Sequence, residues 1–257
     1  MSSPNWIDTL HYHVSRKSRI TVLTGAGISA ESGIPTFRGP EGYWTVGSRA
    51  YHPQEMATYA MFRQRPDDVW QWYLHRATVC HAAAPNPGHR AIAAMETLLG
   101  DRFTLITQNV DNLHTEAGLA PDKVIEIHGN ALQVGCLECD ARHPRAEVQE
   151  WLEAGEEVPL CRKCGGLLKP TTISFGQAMP VAEVKQAAHL SQNCDFFLVV
   201  GSTLLVQPAA HMPFYAKNNG AFLAVINLSE TPCDDTCDVL IREKAGEGVR
   251  KLIEVLT

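Results

Sequence analysis

The chain has 257 residues, 45% of them hydrophobic, enough for one well-packed α/β body with a smaller module attached, which excludes a disordered polypeptide. Its 22 basic and 28 acidic residues leave a formal charge of −6, so the surface offers no general attraction for nucleic-acid phosphates or anionic lipids. With no apolar stretch long enough to cross a bilayer, the expectation is a soluble, cytoplasmic protein with no direct nucleic-acid or membrane partner.

The N-terminal segment carries Trp6, Ile7, Leu10 and Val14 at helical spacing, without the continuous apolar run of a signal peptide. Ile20 to Leu23 then reads as a buried strand, followed at once by Gly25-Ala26-Gly27-Ile28-Ser29-Ala30. This G-x-G-x-x-A pattern suits a pyrophosphate cradle above a helix N-terminus, and taken alone it suits a tight turn equally well. The segment about 20 positions on, where a dehydrogenase places a ribose-binding acid, runs from Tyr43 to Arg49 without a carboxylate. Hydride transfer is therefore the poorer explanation.

Residues 39–84 are aromatic-rich and predicted helical. Within them Tyr73 and Arg76 stand three apart and share a helix face; on the residues alone, a buried aromatic helix with a solvated arginine at its edge is the better account. A helix is predicted over His89 to Leu99 and a strand over Phe103 to Ile106, with Gln108, Asn109 and Asp111 gathered just beyond it. A strand over Val124 to Ile127 ends at His128, at the position where a side chain enters a crevice at a sheet's carboxyl edge; a structural histidine is the alternative. Further on, Val181 to Ser191 and Gly248 to Leu256 are predicted helices, and Phe196 to Val200, Leu223 to Ile226 and Val239 to Ile241 predicted strands. The alternation gives an α/β fold, a doubly wound parallel sheet of Rossmann-like type. The predicted division is 1–38, 85–129 and 170–257 for this body, with 39–84 and 130–169 forming a smaller domain of helical insertion and zinc ribbon.

That ribbon rests on four of the eight cysteines: Cys136-x-x-Cys139, 21 intervening residues, then Cys161-x-x-Cys164. Two such pairs complete a tetrahedral four-thiolate Zn²⁺ site with no open coordination position, so the expected role is structural.

From Gly25 to Gly39 the chain closely resembles the cofactor loop of the sirtuin family, and Thr107-Gln108-Asn109-Val110-Asp111-Asn112-Leu113-His114 resembles its second signature. His128-Gly129, Gly201-Ser202-Thr203-Leu204, Ile226-Asn227 and Ala245-Gly246-Glu247 follow in the family's order, so the resemblance covers nearly the whole chain. It implies NAD as co-substrate, with contacts from Gly25, Ala26, Gly27, Glu31, Thr36, Phe37, Arg38, Gln108, Asn109, Asp111, Gly201, Ser202, Thr203, Asn227 and Ala245. It also implies that an acyl-lysine carbonyl oxygen displaces nicotinamide, giving an imidate linked to ADP-ribose. His128 would then act as general base toward a ribose hydroxyl, with Asn109 placing the ribose and a water. The products are free lysine and O-acyl-ADP-ribose.

Tyr73-x-x-Arg76 resembles the sirtuin subgroup that accepts acidic acyl chains, which makes succinyl- and malonyl-lysine candidates beside acetyl-lysine. Phe175-Gly176 and Val206 would pair with the backbone of an acylated protein or peptide. Three departures stand out: Asn112 replaces a common glycine, Gln177 a common acid, and Ser202-Thr203 reverses the common order. The competing functions are protein mono-ADP-ribosyl transfer and a noncatalytic NAD-binding zinc module.

Overall fold

The computed structural model describes residues 6–37 and 52–256. Arg38, Gly39 and the segment Tyr43 to Arg49 lie outside them.

Six short runs of β-branched and aromatic residues form parallel strands: β1 (Ile20–Thr24), β2 (Phe103–Thr107), β3 (Val124–Glu126), β7 (Phe196–Val200), β8 (Phe222–Ile226) and β9 (Val239–Ile241). Their order in the sheet is β3-β2-β1-β7-β8-β9. Alternate side chains serve opposite faces, as strand geometry demands. Val22, Leu105, Phe196, Leu198 and Val200 pack on one side with Ile92, Met95, Val249 and Leu252 from the helices Pro87–Leu99 and Ala245–Leu256. Leu23, Ile106, Phe197, Val199 and Val225 face the other way, toward Ala187 of the helix Val181–Gln192 and Met212 and Ala216 of the helix Met212–Asn218. Both faces are thus covered, which is why these strands read as continuous apolar runs.

The predicted helix at His89 starts earlier, at Pro87. Asn86 caps it by accepting from the Gly88 and His89 amides (2.8 and 3.3 Å), while His89 Nδ1 accepts from the Asn86 amide (3.3 Å), a capping box with histidine in the role of glutamate. Near the N-terminus, the helix Trp6–His13 carries Leu10 into the core.

A third cluster of buried side chains lies outside this sandwich. Strands β4 (Gln133–Cys136), β5 (Arg142–Pro144) and β6 (Leu168–Pro170) make an antiparallel sheet in the order β5-β4-β6. Val134 and Leu168 from it pack against Phe62, Val69, Trp70 and Trp72 of the helices Tyr59–Gln64 and Pro66–Ala82. Trp70 is fixed there because its indole N–H donates to the Leu168 carbonyl (3.0 Å). Each of these three strands has only three or four residues, too few for a period-two signal to show in sequence.

Candidate active site

Strand order reverses direction between β1 and β7, and in open parallel sheets the crevice at such a point receives ligands. The loops that leave β1 and β7 there are locked together. The Gly25 amide donates to the Val200 carbonyl (3.0 Å) and the Gly27 amide to the Gly201 carbonyl (2.8 Å). A Cβ on Gly27 would stand 2.7 Å from Gly201 Cα, which no backbone adjustment accommodates cheaply. These glycines therefore serve loop-to-loop packing as well as approach to a ligand. Among the described residues up to Phe37 no α-helix follows them; the chain makes two short 3₁₀ turns, Ala26–Ile28 and Ala30–Ser32. The helix N-terminus expected at the fingerprint is absent at this place.

A cavity of about 1070 Å³ opens over these carboxyl ends. Gly25, Ala26, Gly27, Thr36 and Phe37 line it from the β1 loop, and Gly201, Ser202, Thr203 and Val206 from the β7 loop. Gln108, Asn109 and Asp111 follow β2, Asn227 follows β8, and Ala245 starts the last helix, all in the same wall. Glu31 is not in the lining. Its carboxylate instead accepts from the Gly246 amide (2.9 Å), tying the loop to the helix Ala245–Leu256.

His128 stands where β3 gives out, and its ring geometry fixes its chemistry. Nδ1 lies 3.1 Å from the Gln108 carbonyl, which can only accept, so Nδ1 carries the proton and Nε2 is the basic nitrogen. That Nε2 is buried against the cavity without a protein partner. Burial lowers the pKa of the ring below its ordinary 6.5, the Gln108 hydrogen bond opposing this more weakly. The ring is thus neutral and ready to accept a proton at pH 7. Gly129 follows with φ +73°, and a Cβ there would lie 2.1 Å from the Thr171 carbonyl oxygen, so only glycine lets the chain turn under the imidazole.

Behind Asn109 and Asp111 lies a buried polar network that the sequence reading did not single out. Ser29 Oγ donates to Asp111 Oδ2 (2.7 Å) and accepts from Asn109 Nδ2 (3.1 Å). His89 Nε2 also reaches Ser29 Oγ (3.3 Å); because its Nδ1 accepts from Asn86, Nε2 must be the protonated nitrogen, and burial holds the pKa down to about 4, keeping the ring neutral. His114 Nε2 meets Thr24 Oγ1 (3.0 Å), which donates to Thr107 Oγ1 (2.9 Å). Burial pushes the Asp111 carboxyl up, although Ser29 and the Leu113 amide hold it in place. Asn112, which stands where a glycine was expected, adopts φ +66°, the left-handed region that asparagine tolerates best after glycine. Loop geometry survives the substitution.

At the far end of the cavity, Tyr73 and Arg76 line the wall from the helix Pro66–Ala82. The Tyr73 hydroxyl is 3.1 Å from Ser174 Oγ, and burial raises its pKa. The Arg76 guanidinium lies over the rings of Phe37 and Trp72, 5.0 and 5.2 Å from their centroids. Phe175 and Gly176 also line the cavity, but the backbone of Phe175 is already engaged. Its amide donates to the Ala57 carbonyl and its carbonyl accepts from the Tyr59 amide, each at 2.9 Å. Its backbone is therefore not open to a ladder bond, whereas its ring is half-exposed.

Outside the cavity, Cys136, Cys139, Cys161 and Cys164 bring their sulfurs within 4.8 Å of one another. The pairs Cys136–Cys164 and Cys139–Cys161 are 3.5 and 3.7 Å apart, against an edge of about 3.8 Å for a tetrahedron with Zn–S bonds of about 2.3 Å. All eight cysteines are free thiols, so the set fits Zn²⁺.

The sequence model of the Sir2 family matches residues 25–208, more than half of the chain and the whole of the β1-to-β7 crevice. The chain belongs to the Sir2 family. Among its relatives, an NAD-dependent protein deacylase of Aquifex aeolicus is 44% identical over 92% of this chain and 95% of its own length. A solved Sir2–p53 peptide–NAD⁺ complex superimposes with a TM-score of 0.82 at 33% identity, covering 99% of this chain and 98% of its own. A Sir2 protein bound to a propionylated peptide gives 0.81 at 32% identity, with the same coverage. For a Sir2 protein of this sequence, the crevice residues that the motifs single out meet in one cavity, apart from Glu31 and from Arg38, which lies outside the described residues. Of the polar network, Ser29 and His114 sit inside the two motifs, whereas His89 left only the Asn86-Pro87 start of a helix, which places it in the first turn.

Proposed function

We propose that this Sir2 protein is an NAD-dependent protein lysine deacylase that releases nicotinamide, free lysine and O-acyl-ADP-ribose, and that it accepts acidic acyl chains as well as acetyl. The observation that carries the reading is His128: a neutral imidazole whose basic Nε2 is buried, unpartnered and turned to the cavity at the sheet's carboxyl edge. Bound NAD supplies a ribose carbon activated by its nicotinamide leaving group. His128 Nε2 accepts the proton of a ribose hydroxyl, with Nδ1 anchored on Gln108 so that the ring holds its tautomer. Asn109 and Asp111 are oriented by Ser29 to hold the nicotinamide end, and the β1 and β7 loops hold the phosphates and the adenine ribose.

Support for the acidic preference is the pairing of a buried phenol with a guanidinium fork at the cavity's far end, since a terminal carboxylate takes two charge-assisted hydrogen bonds from arginine and one from tyrosine. We assign residues 1–38, 85–129 and 170–257 to the NAD-binding domain and 39–84 and 130–169 to the smaller one, whose Zn²⁺ is structural. Four thiols arranged for a metal suit a reducing, cytoplasmic setting, and no helix among the described residues is long and apolar enough to cross a membrane. Neither the charge balance nor the site favours a nucleic-acid partner.

The test compares acetyl-, malonyl- and succinyl-lysine forms of one peptide with NAD by mass spectrometry. Peptide-dependent nicotinamide release with an O-acyl-ADP-ribose product is expected, whereas ADP-ribose appearing on protein would favour mono-ADP-ribosyl transfer. Arg76→Met is expected to lower kcat/KM for succinyl- and malonyl-lysine by about tenfold or more relative to acetyl-lysine. An equal loss on all three would end the carboxylate-pocket reading.

A further inference from the structure

The wall of the acyl end contains a second guanidinium. Arg145 is the first residue of the helix Arg145–Glu153, in the stretch between the two cysteine pairs, and its side chain lines the same cavity as Arg76. The two cations flank one neighbour: Cys80, one turn beyond Arg76 on the helix Pro66–Ala82, feels the charge of both. Arg76 is settled against Phe37 and Trp72. Arg145 is not. Among the described residues no carboxylate pairs with it and no group accepts its hydrogen bonds, and its burial lowers the pKa, the mark of a desolvated cation without an anion. Its place at a helix N-terminus adds a second cost, because the helix dipole already puts positive potential there. A half-buried guanidinium on a cavity wall, unpaired among the described residues and at a helix N-terminus, favours an anion beside it.

A second space adjoins the cavity here. Leu74 and Arg145 line both the main cavity and an outer groove of about 410 Å³ bordered by Gln71, Thr78 and Gln149. Arg145 therefore borders both spaces, so an acyl chain extended from the cavity toward the outer groove passes its guanidinium. Resting on the reading of Tyr73 and Arg76 as the acyl pocket, we propose that Arg145 is a second carboxylate-recognising residue, which extends the substrate range to lysines carrying dicarboxylic acyl chains longer than glutaryl, such as adipoyl.

The test measures kcat/KM for acetyl-, succinyl-, glutaryl- and adipoyl-lysine forms of one peptide with the wild type, Arg76→Met, Arg145→Gln and Arg145→Lys, each checked for an unchanged melting profile. For Arg145→Gln the ratio of adipoyl to acetyl kcat/KM is expected to fall about tenfold, mainly through KM, with succinyl affected less. Arg145→Lys is expected to recover part of the loss, because it restores the charge without the fork. An adipoyl-to-acetyl ratio that Arg145→Gln leaves unmoved, while Arg76→Met depresses the succinyl ratio, overturns this inference and spares the acyl-pocket reading. If Arg76→Met depresses no acidic substrate, the acyl-pocket reading fails. A selective loss in Arg145→Gln would then still support Arg145 as the carboxylate site, and its absence would overturn both.

Discussion

A histidine becomes a base by what its other nitrogen does. In His128 the Gln108 carbonyl takes the Nδ1 proton's hydrogen bond, and burial disfavours the imidazolium. On the proposed role of His128 as general base the neutral form is the active one, so kcat/KM is expected to rise with pH through its pKa and then level off. Because that pKa is shifted below 6.5, the acid limb is expected to finish before neutrality, and His128→Ala to lose at least about a hundredfold in turnover. A pH–rate profile with its acid midpoint at or above 6.5 would contradict the assignment. Lys169 offers a second test at this scale. It is 1% exposed, its ammonium donates to the Pro170 and Thr172 carbonyls, and burial lowers its pKa to about 7. An unfolded chain keeps that proton to about pH 10.4. Between these values the unfolded state binds more protons, so folding stability rises with pH, and below about 7 the burial penalty is felt in full. From pH 7 to pH 9 the stability of the wild type is expected to gain about 2 kcal/mol relative to Lys169→Met, measured by denaturant melts at each pH. A constant difference across that range would show the lysine to be charged throughout.

Elements explain why parts of this protein were legible from sequence. The inner strands are buried on both faces, so each appears as an apolar run such as Phe196 to Val200, and the half-buried edge strands β3 and β9 still carry enough β-branched residues to be visible. The ends were harder, since Thr24 and Thr107 carry their strands one residue further through hydroxyls bonded to each other. Cysteine spacing revealed the metal site but hid the three strands around it. His89 read as one of eleven histidines, and His114 only as the end of a motif, because a pattern of residues carries no sign that 60 or more positions of chain bring Ser29 beneath one and Thr24 beneath the other. The glycine fingerprint was legible as a ligand loop, yet its partner was not: Gly27 faces the backbone of Gly201, from a strand far along the chain. Gly27→Ala is therefore expected to part the β1 and β7 loops, costing about 1–3 kcal/mol of stability and at least about tenfold in NAD affinity. Calorimetric titration would measure the second effect, and unchanged NAD binding in that variant would show that the loops tolerate separation.

For the whole molecule, the question is how a metal far from the chemistry bears on it. The cysteine sulfurs fix both ends of the stretch Cys136 to Cys164, and Cys136 and Cys161 are part of the same apolar cluster as Trp70 and Trp72. That cluster carries the helix Pro66–Ala82, whose inward face presents Tyr73 and Arg76 to the cavity. Small modules of this kind lack the apolar core to hold together alone, and structural Zn²⁺ contributes folding free energy directly. The large sheet has its own core on both faces and shares no such dependence. Chelation is therefore expected to act unevenly: the smaller body loosens, the cavity loses the wall formed by Tyr73 and Arg76 and turnover falls, while the parallel sheet keeps its protection against hydrogen exchange. Exchange measured with and without a chelator would locate the loss at residues 53–82 and 133–170. Restored activity on adding Zn²⁺ back would complete the case, whereas full turnover in metal-free protein would mean that the helix holds its place by packing alone.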